Sequence, residues 1–155
     1  MRNYWEEARN LRIQTGAQIV GGFDVDFHGN IPEETKDELM RFVYWVEDHF
    51  HLPVTLWVDF QYKHYFVHNK KRVAYRFYWV DYPTITSFEN FDDIPVIELA
   101  CNCEKCGTDV LLSALAEAIS HYFAWLCGEN MHTFKPDRQL AEKILQAYHN
   151  DRGES

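Results

Sequence analysis

Apolar residues follow two different periods along the chain, and the changes between them mark the predicted elements. From residue 33 to 51 they recur at steps of three and four, which predicts a helix with one buried stripe. The stripe consists of Leu39, Phe42, Val43, Val46 and Phe50. Pro32 followed by two glutamates fits the start of this helix, and Pro53 ends it. Before it, Tyr4 to Arg12 is expected to form one or two helical turns.

After Pro53 the apolar residues recur at every second position. Val54, Leu56 and Val58 alternate with Thr55, Trp57 and Asp59, which predicts a strand. Two runs rich in aromatic and β-branched residues follow, 62–67 and 73–80, and the polar stretch between them predicts a hairpin. Another strand is expected over Pro95–Ala100.

The helical period returns at Thr108 and continues to Gly128, a residue that often closes helices. A last helix is predicted from Pro136-Asp137 to about His149, and residues 150–155 are expected to be a frayed tail. Strands grouped before paired helices indicate one α+β domain over residues 1–155. Its sheet is expected to be small, aromatic-rich, and antiparallel or mixed.

Composition narrows the class of protein. The 155 residues are 46% apolar, enough for one buried core, and carry a formal net charge of -9. That charge disfavours binding to nucleic acid or to anionic membranes. No apolar run approaches the roughly 20 residues that span a bilayer. The N-terminus has no secretory h-region, so a cytoplasmic location is expected.

The predicted long helix carries Glu117 and His121 four residues apart, so both side chains project from one face. An oxygen and a nitrogen donor at this spacing can hold one divalent ion, zinc being the natural one, if a third ligand arrives. Glu142 on the next helix is the candidate for that ligand. The alternative is a hydrogen-bonded pair within a partly buried helix.

The order of these elements over residues 33–149 resembles the minimal zincin-like domain of gluzincin-type metallopeptidases, including small bacterial members. The segment from Ser120 to Leu126 is similar to the tail of the family motif H-E-x-x-H and the aromatic run after it. Residues 138–142 resemble the helix that supplies the third ligand, a glutamate. The resemblance implies a long active-site helix, a closing C-terminal helix and, at Pro95–Ala100, an edge strand that pairs with peptide.

The chain departs from the family motif at the residues that do the chemistry. Aligned on His121, Glu117 replaces the first histidine and Ala118 replaces the general base. An alternative register keeps Glu117 as the base, but Ala116 and Ser120 then replace both histidines. Loss of a general base lowers rates on the order of 10²- to 10⁴-fold. The sequence therefore predicts a degenerate site without ordinary peptidase activity.

A cysteine-rich turn is the other unusual feature, and the family resemblance does not account for it. Cys101, Cys103 and Cys106 are close enough in sequence to wrap a zinc ion, with Cys127 or a histidine as a fourth ligand. The alternative is a solvent-exposed or redox-sensitive turn.

Three functional hypotheses follow. The first is a degenerate zincin-like scaffold that binds a metal or a peptide along Pro95–Ala100. The second is an active metal-dependent hydrolase with an unorthodox site at Glu117 and His121. The third is an interaction module whose cysteines respond to zinc or oxidation.

Overall fold

The computed structural model describes residues 2–15, 21–81, 93–101 and 107–153. Within these ranges the helices are α1 (Tyr4–Thr15), α2 (Glu33–His49), α3 (Thr108–Leu126) and α4 (Arg138–Asp151). The strands are β1 (Phe23–His28), β2 (Leu56–Gln61), β3 (Phe66–His68), β4 (Lys71–Val73), β5 (Tyr75–Asp81) and β6 (Asp93–Ala100). The protein is thus a mixed α+β structure, as its sequence predicts.

The main sheet has four strands in the order β1-β2-β6-β5. The first three are parallel, and β5 runs antiparallel to β6 at the end of the sheet. A row of residues in register crosses all four strands: Asp26, Asp59, Glu98 and Arg76. On the alternate positions Leu56, Val58, Phe60, Ile97 and Leu99 are fully buried, so this face of the sheet forms the core.

The predicted position of the edge strand is wrong. Pro95–Ala100 belongs to β6, which lies between β2 and β5 rather than at an edge. All its residues from Val96 to Ala100 are buried. Such a nearly continuous buried run is typical of interior strands covered on both faces. The edge strand beside α3 is β5.

β1 was not expected from the sequence. Its apolar residues Phe23, Val25 and Phe27 are half-buried and alternate with exposed polar ones. That period of two is the signal of a strand covered on one face.

The predicted hairpin is confirmed in a shorter form, as the antiparallel pair β3 and β4. Asn69 and Lys70 at its tip have φ angles of 51° and 64°. Two consecutive residues in the left-handed region are what a two-residue type I′ turn requires. β5 follows after Ala74 and joins the main sheet.

α3 is the central helix and contacts α1, α2 and α4. Nearly all its residues from Leu111 to Ala124 are buried, and Gly128, at a φ of 81°, follows its end. From α1 the indole of Trp5, fully buried, donates a hydrogen bond of 2.6 Å to Ser120 Oγ. No helix in the described part of the chain is long and apolar enough to cross a membrane.

α4 begins as predicted. Asp137 caps it by accepting hydrogen bonds from the backbone N–H groups of Gln139 and Leu140. It ends later than expected, since residues 150 and 151 are helical. Contacts with α2 hold this end: Arg152 donates to Glu38 at 2.6 Å, and Trp45 Nε1 donates to Asp151 at 2.8 Å.

Candidate functional site

A groove of about 1050 Å³ lies beside β5. Its walls are the β3–β4 hairpin, the first half of β5, one face of α3, the first half of α4 and the connection over residues 131–136. Glu117, His121 and Glu142, the helix residues singled out from the sequence, all line it. The i, i+4 spacing on α3 thus correctly indicated two side chains that share one surface.

Alternate side chains of β5 pack against α3, and Tyr75 and Phe77 among them line the groove. Phe77 stacks on the ring of His121, with 6.0 Å between centroids, and meets Trp125 at 6.1 Å. Trp79 stacks on Trp125 at 6.4 Å. His121 and Trp125 lie four residues apart on α3, so the aromatic side chains of β5 pack along one stripe of that helix.

His121 is held in place from several sides. Its Nδ1 shares a hydrogen bond of 2.9 Å with the hydroxyl of Tyr75, and Phe134 meets its ring edge-on at 5.0 Å. Burial lowers the pKa of His121 from 6.5 to about 4. The imidazole is therefore uncharged near neutral pH.

Glu117 is paired across the groove with Arg138, the first residue of α4. Arg138 Nε lies 3.2 Å from Glu117 Oε1, and the side chains are 84% and 17% exposed, respectively. Burial raises the pKa of Glu117, the positive charge of Arg138 opposes that shift, and the nearby charge of Glu142 adds to it. The carboxylate is thus largely covered by protein and capped by an exposed cation.

As they are placed, the ligand atoms of Glu117, His121 and Glu142 do not form a group within 4.8 Å of one another in the described part of the chain. Among the described residues, one group of three has ligand atoms that all lie within 4.8 Å of one another. It consists of Asp26, His28 and Asp59, on β1 and β2, and lies outside the groove. Arg138 is paired with Glu117, and Tyr75 occupies one nitrogen of His121. Zinc bound by Glu117, His121 and Glu142 therefore stays a prediction, one that requires these donors to move closer together.

The described thiols lie in different surroundings. Cys101 is buried after β6, its Sγ donates to the carbonyl of Gln61 at 3.0 Å, and burial raises its pKa. Cys127 is exposed and directly follows α3. The 19 residues of α3 span roughly 28 Å, and this length separates Cys127 from Gly107 at the other end of the helix. Cys103 and Cys106 lie outside the described residues, so the arrangement of the whole turn stays a prediction.

A second cluster of titratable groups lies on the other face of the sheet. His28 Nε2 is 3.9 Å from Asp59 Oδ1, and Asp26 is the register partner of Asp59. Burial raises the pKa of Asp59, His28 opposes this, and the charges of Asp26 and Glu98 add to it. The sequence carries these residues at alternate positions, but only the strand pairing brings them together.

Function has to be inferred from these local arrangements. No protein-family model, no curated protein and no solved structure matches the chain. Of the two clusters, the groove offers more to a ligand, because it joins a concave surface, a sheet edge and paired charges.

Proposed function

We propose that the protein is a zincin-like binding module without peptidase activity, which holds an extended peptide along the outer edge of β5. The position of β5 carries this proposal: among the described residues it is the terminal strand of the main sheet, and it borders a large groove. A terminal strand presents backbone N–H and C=O groups that an extended peptide can pair with.

The strand pairing indicates which groups point outward. Ala100 N donates to the carbonyl of Ala74, which makes these two residues a hydrogen-bonded pair across β5 and β6. In an antiparallel ladder such pairs alternate with pairs that do not share hydrogen bonds. The backbone N–H groups of Tyr75, Phe77 and Trp79 are therefore expected to face away from β6, toward a bound peptide.

The order of elements supports the zincin-like assignment. The resemblance implies an edge strand bordering the cleft, then the long helix and the closing helix. β5, α3 and α4 stand in that order around the groove. β5 is also antiparallel to the strand that precedes α3.

The chemistry of α3 supports binding rather than hydrolysis. Ala118, at the position of the general base in the family motif, is fully buried and has no group that can take a proton. Glu117, at the position of the first metal ligand, is paired with Arg138. In this proposal the groove has a strand that can pair with a peptide, as in zincin-like peptidases. It lacks the general base that such peptidases use to activate water.

Two substitutions at one position test strand pairing directly. Trp79→Pro removes the outward N–H together with the indole, whereas Trp79→Ala removes only the indole. Binding of acetyl-Thr-Val-Arg-Val-Thr-amide, measured by isothermal titration calorimetry, should be weakened more by proline than by alanine, by about fivefold for one lost hydrogen bond. Equal affinities in the two variants would contradict pairing along β5.

A further inference from the structure

The ion pair in the groove joins a covered anion to an uncovered cation. The Glu117 side chain is 17% exposed, while that of Arg138 is 84% exposed. An exposed, flexible guanidinium loses side-chain entropy when it is held in place, and water screens its charge, so such a pair contributes little. A cation that arrives on a bound ligand can therefore displace Arg138 without a large loss.

The surroundings of Glu117 suit a planar cation. The Tyr75 hydroxyl lies close enough to Glu117 and Arg138 for both charges to act on its pKa, which burial and Glu117 raise and Arg138 lowers. The rings of His121 and Phe134 meet about one helical turn from Glu117 along α3. Uncharged aromatic rings beside a carboxylate favour a guanidinium, which can stack on a ring while it donates to oxygen.

Charges of both signs line the groove. Glu142 acts electrostatically on Glu117, and Asp109 lines the same groove, as do Arg72, Arg76 and Lys135. The charges that act on the pKa of Glu117 are those of Arg138, which opposes its rise, and Glu142, which adds to it. Once Arg138 is displaced, Glu142 is the charge that acts most directly on Glu117, and it is negative.

We propose that Glu117, with Tyr75 and the aromatic wall beside it, forms a subsite for an arginine side chain of the bound peptide, and that Arg138 occupies this subsite when no peptide is bound. The inference rests on the proposed function, because it names a side chain of the peptide paired with β5. Arg138 itself demonstrates that a guanidinium reaches the carboxylate.

A matched pair of peptides tests the subsite. Acetyl-Thr-Val-Arg-Val-Thr-amide is compared with the same peptide carrying citrulline, a neutral isostere of arginine. The arginine peptide should bind about tenfold tighter, as expected for a hydrogen bond to a charged group. Glu117→Gln should abolish this preference, with a thermal melt confirming that the variant is folded.

Arg138 gives an independent test that removes no buried group. Arg138→Gln should tighten binding of the arginine peptide by about threefold, because no internal cation then competes for Glu117. Lys135→Gln removes one positive charge from the same exposed rim and serves as the control. It should leave the arginine preference unchanged.

The outcomes separate the subsite from strand pairing. If both peptides shift the β5 amide resonances in NMR spectra but bind equally well, the arginine subsite is wrong and the proposed function stands. If neither peptide shifts those resonances, the proposed function fails and the subsite falls with it. If Arg138→Gln weakens the arginine peptide, the assignment of Arg138 as an internal competitor is overturned.

Discussion

Arg138 and Glu117 form an ion pair across the groove, with 3.2 Å between Nε and Oε1. The pair joins the first turn of α4 to the middle of α3. In the described part of the chain, Glu117 therefore meets Arg138 rather than a close group of donor atoms from His121 and Glu142.

Arg138→Gln should lower the free energy of unfolding by about 0.5 kcal/mol near pH 7, a value reduced for the exposure of the arginine. Without Arg138 the pKa of Glu117 rises further above its ordinary value, since burial is then less opposed. When the pKa of a carboxyl is higher in the folded than in the unfolded state, the protonated carboxyl stabilises the fold. This stabilisation is lost as the pH rises and the carboxyl ionises. The difference between variant and wild type in urea titrations should therefore disappear at low pH; a constant difference would contradict the ion pair.

His121 should make the fold sensitive to acid. Because its folded-state pKa is lowered from 6.5 to about 4, its contribution is complete above pH 6.5 and is lost as the pH falls toward 4. The loss is on the order of 2–3 kcal/mol. The stability of His121→Phe should decline less steeply over this window and run parallel to wild type above it. Equal slopes between pH 6.5 and 4 would contradict the buried, neutral imidazole.

Asp59→Asn should stabilise the protein near neutral pH by about 0.5 kcal/mol, because like charges on adjacent strands repel. The raised pKa of Asp59 means that its protonated form favours the fold, and that this benefit is lost as the pH rises. Melting temperatures at pH 7 and pH 3 check the prediction. Asp24→Asn removes an equal charge from an exposed position of β1 and should have the smaller effect. Destabilisation of Asp59→Asn at pH 7 would count against repulsion in this row.

Lys70→Gly should stabilise the β3–β4 hairpin. Lys70 has a φ of 64°, which glycine adopts without the steric strain of a side chain. A gain of about 0.5–1 kcal/mol in the free energy of unfolding is expected. Lys71→Gly, one residue on and within β4, should be destabilising instead. A loss of stability in Lys70→Gly would contradict the type I′ turn.

The sequence predicted those parts of the fold that local periodicity determines. α2, α3 and α4 follow from apolar residues at helical spacing, and the hairpin from the polar residues between two strand-like runs. Glu117 and His121 were correctly expected on one surface, because helix geometry alone puts them there.

The features that could not be predicted from the sequence are those that depend on which helices and strands lie next to each other. Pro95–Ala100 was mistaken for an edge strand because the residues of a single strand do not determine which strands lie on either side of it. The partner of Glu117 was sought in Glu142, whereas the structure brings Arg138 to it, and both lie within one turn of the same helix. The register of Asp26 with Asp59 likewise appears only once β1 and β2 are paired.

The most direct test of the proposed function follows backbone amide chemical shifts while acetyl-Thr-Val-Arg-Val-Thr-amide is added in the presence of zinc, with the peptide recovered afterwards for mass spectrometry. We expect the amides of Tyr75, Phe77 and Trp79 to shift, those of β1 at the opposite end of the sheet to stay unchanged, and the peptide to be recovered intact. Unchanged β5 amides would contradict the binding module. Zinc-dependent cleavage of the peptide that disappears in His121→Ala would contradict the absence of peptidase activity.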